Sequence, residues 1–131
     1  MKKITLSLFA LFVLSALFVS CPADSSSGPD QKTVKVKYVV TGTMSSVSSL
    51  DYTNSTGGDT KLNNVTLPWE ETFTVSLEPK SVFQAKVYAL SNISGSLTAK
   101  IFINEKEVQS KTSNSTTGNF SVIVVEMIMN L

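Results

Sequence analysis

With 131 residues the chain has room for one domain, and its 11 basic residues, every one a lysine, stand against 10 acids for a formal net charge of +1. That balance, with no arginine to fork onto a phosphate, excludes a nucleic-acid surface built on charge. The absence of histidine removes Ser-His-Asp triads, histidine acid–base chemistry and most zinc sites, and a single cysteine leaves no thiol pair for a metal or a disulfide.

The first 20 residues read as a leader. Lys2 and Lys3 precede an apolar block, Ile4 to Val19, broken by Thr5, Ser7 and Ser15. A cationic start, a short apolar run and a small residue at its end make a secretory signal rather than a membrane span. Leu17-Phe18-Val19-Ser20-Cys21 resembles the lipobox of bacterial lipoproteins, with Ser20 as the small residue before the cysteine and Phe18 where leucine is commoner. The resemblance implies that residues 1–20 are removed and that Cys21 is acylated with palmitate-like chains, anchoring the protein outside the cytoplasm to an inner or outer membrane. The alternative is a plain secretory signal cut nearby, for instance after Ala23. Losing Lys2 and Lys3 leaves nine lysines against ten acids, so the mature chain is near −1. Residues 21–32 are expected to be the lipidated cysteine and a flexible tether. Their core, PADSSSGPDQ, is rich in proline, glycine and serine and reaches about 35 Å when extended.

From residue 33 to 131 the pattern is that of short strands. Val34, Val36, Tyr38 and Val40 alternate with Lys35, Lys37 and Val39, a half-buried strand ended by Gly42. Val47 to Thr53 is a second, weaker strand with Leu50 and Tyr52 inward. Asn54 to Asp59 is a loop, and Leu62 to Leu67 a short strand stopped by Pro68. Thr72 to Leu77 points Phe73, Val75 and Leu77 inward. Ser81 to Leu90 puts Phe83, Ala85, Val87 and Ala89 on one face, and Leu97, Ala99, Ile101 and Ile103 line the next strand. Asn104-Glu105-Lys106 is expected to turn tightly into Glu107 to Thr112. After a polar loop over Ser113 to Gly118, Phe120 to Met127 is nearly all apolar, which predicts a central strand covered on both sides. Seven or eight strands spaced near ten residues predict an all-β domain, a sandwich or a barrel.

Val36 to Val125 resembles the extracytoplasmic domain of the mycobacterial membrane protein small family, MmpS. The likeness runs in order through Tyr38-Val39-Val40-Thr41-Gly42, Leu50-Asp51-Tyr52-Thr53-Asn54, Leu67-Pro68-Trp69, Ser94-Gly95-Ser96-Leu97-Thr98 and Ile101-Phe102-Ile103-Asn104. It implies an immunoglobulin-like β-sandwich of about seven strands and a non-enzymatic accessory to a lipid-exporting membrane transporter. The chain departs from the family in three places. Ala99 and Val124 or Val125 stand where a cysteine pair is usual, Asn104-Glu105 replaces Asp-Gly, and a lipobox replaces an uncleaved transmembrane helix.

No catalytic constellation, cofactor or metal site emerges, and the chain is expected not to be an enzyme. Adjacent Glu70 and Glu71 point to opposite faces of a strand. Asp51, Asn54 and Asp59 bracket a loop whose spacing fails the EF-hand pattern. Trp69 is expected in the core, with Pro68 marking an edge or bulge. Tyr88 and Phe102 fall on outward faces beside Lys86 and Lys100 and are the candidate binding residues. Sequons begin at Asn54, Asn64, Asn92 and Asn114, all but Asn64 in expected loops. The expected function is a lipid-anchored extracytoplasmic module of the cell envelope that binds a transporter or another envelope protein. An adhesin-like lipoprotein exposed to a host is the alternative.

Overall fold

A computed structural model describes residues 30–131. Cys21, the leader and the tether up to residue 29 lie outside the described residues.

Eight strands build the domain: β1 (Lys32–Gly42), β2 (Ser46–Thr53), β3 (Asp59–Thr66), β4 (Trp69–Leu77), β5 (Val82–Ser91), β6 (Gly95–Ile103), β7 (Lys106–Ser115) and β8 (Phe120–Met129). They form two four-stranded antiparallel sheets, ordered β4-β1-β6-β7 and β3-β2-β5-β8. The expected all-β sandwich is therefore the observed fold, with eight strands.

The sheets meet through the residues that alternation turns inward. Val34, Val36, Tyr38, Val40, Leu97, Ala99 and Ile101 from the first sheet face Leu50, Ala85, Val87, Ala89, Val122 and Val124 from the second. Ala99 and Val124 are thus ordinary core residues. At the β3–β4 side an aromatic chain closes the layers. Tyr38 lies edge-on to Tyr52 and Phe73 at 5.9 and 5.5 Å between ring centres, Tyr52 meets Trp69 at 5.3 Å, and Phe73 meets Phe83 at 6.3 Å. Such edge-to-face pairs add to the area they bury.

Alternation breaks once in β2 and once in β3, on the same rung. Val47 and Val65 are paired and buried, and buried Leu50 pairs with half-buried Leu62 on the same inner side, although the spacing between them is odd. The switch falls at Ser48 and Asn64, and Asn64 takes a left-handed φ of 52°, a conformation asparagine tolerates. This kink explains why β2 reads as the weaker strand.

Three expectations change. The final strand is not central. β8 is the edge strand of its sheet, with Val122, Val124 and Ile128 inward and Ile123, Val125, Met127 and Met129 exposed. An all-apolar run reads as buried on both faces, but the fold offers no layer for the second face. Asn114 is also not in a loop, because β7 continues to Ser115 and pairs Asn114 with Ser96. The last tether residues are held as well: Lys32 pairs with Leu77 in β1, the Gln31 amide bonds to the Glu78 carboxylate, and Asn130 Nδ2 donates to the Asp30 carbonyl at 2.8 Å.

Candidate functional surfaces

Phe102 and Tyr88 lie on opposite outer faces of the sandwich. Each is half-buried, and the fold does not bring them together.

Phe102 belongs to the β4-β1-β6-β7 face. It shares a shallow groove of about 290 Å³ with Lys35, Lys37, Thr72 and Glu105. Register sets this neighbourhood, because Lys37 lies opposite Phe102 on one side and Thr72 on the other. A register shift leaves Val108 as an extra residue of β7 next to Phe102, a bulge that bends the strand at the groove. Around the ring the face is a lattice of ion pairs. Lys35 reaches Glu105 at 3.1 Å, Lys37 reaches Glu70 at 2.9 Å and Lys100 reaches Glu107 at 2.9 Å. Lysine stems laid beside a ring cover apolar surface while their heads stay wet, so the groove is satisfied as it stands.

Tyr88 belongs to the β3-β2-β5-β8 face, which is divided. The β2–β3 half is charged: Asp51 lies opposite both Tyr88 and Lys61, and Lys86 pairs with Asp59 at 3.0 Å. The β5–β8 half is apolar. Val82 stands opposite Met129, Gln84 opposite Met127, Lys86 opposite Val125 and Tyr88 opposite Ile123. Val82 is 53% exposed, Ile123 42%, Val125 37%, Met127 51% and Met129 49%. Single exposed apolar residues are ordinary on a surface, but five in one contiguous stripe on neighbouring strands mark an interaction site. Composition carries this signal, since Phe120 to Met129 holds few polar residues. Reading the strand as central hid it.

The remaining sequence candidates are structural. Pro68 is exposed at the corner where the chain leaves β3 in one sheet and starts β4 in the other, after a cis Leu67-Pro68 bond. Trp69 is half-buried and packs on the core and on Tyr52. In the 54–58 loop, Asn54 Oδ1 accepts bonds from Thr56 N, Thr56 Oγ1 and Gly58 N at 3.0, 2.7 and 3.2 Å. Asn54 therefore closes its own turn, and Asp59 is engaged by Lys86, so their oxygens serve the loop rather than a cation.

Among the described residues no group of three or more acids, cysteines or histidines converges, and no helix is long and apolar enough to cross a membrane. A family model described as Mycobacterium membrane protein matches residues 10–127, which takes in most of the apolar N-terminal block and nearly all of the sandwich. No curated protein matches the chain.

Proposed function

We propose, from the premise that this chain belongs to the Mycobacterium membrane protein family, the MmpS family of the sequence motifs, that it is a non-enzymatic accessory module held at the outer side of a membrane by acyl chains on Cys21. Its partner in this reading is a membrane transporter of the cell envelope. The observation that supports it most is the unpartnered apolar half of the β5–β8 face. A monomer in free solution gains nothing from exposing Ile123, Val125, Met127 and Met129 together, whereas a domain confined to an envelope surface has something to cover them. Membership in a membrane family and the lipobox at Leu17 to Cys21 agree with that placement.

The test is a pull-down of the full-length chain from detergent-solubilised membranes, with palmitate incorporation followed in parallel. Recovery of one stoichiometric transporter, together with label that disappears in Cys21→Ser, is the expected result. A clean bait with no membrane protein refutes the accessory role. A label-free chain that still fractionates with membranes refutes the acyl anchor.

A further inference from the structure

We propose that the apolar half of the β5–β8 face rests on the lipid surface itself, with Val82, Ile123, Val125, Met127 and Met129 seated among the headgroups. This rests on the membrane-anchored reading above and names what that face touches.

The open edge of β8 limits what the occupant can be. The other edge strands carry outward charge: Asp59 and Lys61 on β3, Glu70 on β4, and Glu107, opposite Phe102, on β7. β8 has one charge, Glu126, on the inward side of its alternation and half-buried. Gln109 Nε2 of β7 donates to Glu126 Oε2 at 2.8 Å across the mouth of the sandwich. An inward charge on an edge strand opposes strand addition, because pairing would bury the carboxylate. The edge is guarded and the face is not. The occupant therefore covers the face rather than extending the sheet.

Chain length and attachment point to lipid. Asp30 lies nine positions after Cys21, a reach of about 30 Å at full extension. With Cys21 acylated, the membrane lies within that reach. The chain enters the domain at the corner where the apolar stripe ends, since Asn130, next to Met129, binds the Asp30 carbonyl. The stripe from Ile123 to Met129 runs about 20 Å along the strand, within the length the tether allows. Two lysines flank the same corner. Lys32 Nζ donates to the Met129 carbonyl at 3.2 Å, and the Lys80 backbone N–H donates to the Asn130 carbonyl at 2.7 Å. Neither is among the ion pairs of the described residues. An apolar stripe with two lysine side chains at its tethered end suits the boundary between acyl chains and charged headgroups. Tyr88 at the far end adds a ring with a polar tip, the kind of side chain that settles at a water–lipid boundary. Seated this way, the sandwich turns the Phe102 groove away from the membrane.

The test uses the full-length chain in its own membranes, with the photo-crosslinking residue benzoylphenylalanine replacing Met127, or Thr74 on the opposite outer face. Circular dichroism confirms that each variant keeps its β spectrum. Phospholipid-mass adducts several-fold more abundant at position 127 than at 74, and several-fold reduced by Lys32→Glu with Lys80→Glu, are expected. Protein adducts at 127 without lipid adducts overturn the proposal and leave the accessory reading standing. Equal lipid labelling at 127 and 74 overturns it as well. A chain that does not fractionate with membranes overturns both.

Discussion

The Tyr38 hydroxyl donates a hydrogen bond to the Thr53 carbonyl at 2.9 Å, tying β1 of one sheet to the end of β2 in the other. Tyr38 is fully buried, and burial raises its pKa well above the usual phenol value, because ionisation would strand a phenolate in the core. The bond satisfies a polar tip that the core otherwise rejects.

Tyr38→Phe keeps the ring packing on Tyr52 and Phe73 but removes the hydrogen bond to the Thr53 carbonyl, and is expected to cost about 1–2 kcal/mol in chemical denaturation. The pH dependence follows from the direction of the shift. The native phenol holds its proton at pH values where the unfolded one, with a pKa of about 10, has lost it. The stability tied to this group is therefore complete below about pH 10 and falls as pH rises through that value toward the native pKa. Wild type should lose stability as pH rises above about 10 more steeply than Tyr38→Phe. Parallel slopes for the two proteins would remove Tyr38 as the cause.

Where residues alternate regularly, the fold was legible in the sequence. Val34 to Val40 and Phe83 to Ala89 point as their period requires, because each lies in a strand with a neighbour on either side. Legibility failed where a residue answers to something other than its own strand. Ser48 and Asn64 reverse the inward parity of β2 and β3 through a backbone kink that hydrophobicity does not encode. β8 is apolar on both faces, and periodicity cannot tell whether the second face is covered from within the chain or from outside it. Tyr88 and Phe102 were recognisable as outward residues. Their separation onto opposite sheets depends on the strand order, which pairs β5 with β2 and β8 and places β6 between β1 and β7.

The β6–β7 turn holds removable strain. Asn104 and Glu105 take φ values of 50° and 70°, the left-handed pair of a two-residue hairpin that favours Asn-Gly. A glutamate in that conformation costs on the order of 1 kcal/mol, and its ion pair with Lys35 is exposed on both sides and adds little. Glu105→Gly is therefore expected to raise stability by roughly 0.5–1 kcal/mol, read as a higher melting temperature. A fall in melting temperature would mean that the Lys35–Glu105 pair matters more than the backbone.

Gly95 behaves in the opposite way. Its φ is +146°, and an added Cβ would sit 2.5 Å from Thr43 Oγ1 and 3.0 Å from Met44 Cε. Thr43 Oγ1 accepts the Ser96 N–H at 3.0 Å, so the clash falls on a hydrogen bond that closes the top of the sandwich. Gly95→Ala should cost about 2 kcal/mol or more. A neutral result would show that the Thr43 loop gives way freely.

Glu126 offers the sharpest separation between edge and face. If its inward carboxylate, held by Gln109, is what stops strand addition at β8, then Glu126→Val should keep the fold, since a branched apolar residue suits a partly buried strand position. The variant would then expose a long edge with no charge, the arrangement that invites edge-to-edge pairing. Size-exclusion chromatography over a concentration series is expected to show dimers or larger species for Glu126→Val and not for wild type, with melting temperature unchanged or raised. Gln109→Ala releases the carboxylate without removing it and should remain monomeric. Oligomers in Gln109→Ala would mean that the cross-sheet hydrogen bond, rather than the buried charge, guards the edge. A Glu126→Val protein that stays monomeric would mean that β7, which packs beside β8, blocks the edge sterically, and the case for a face-only contact would then rest on shape instead of charge.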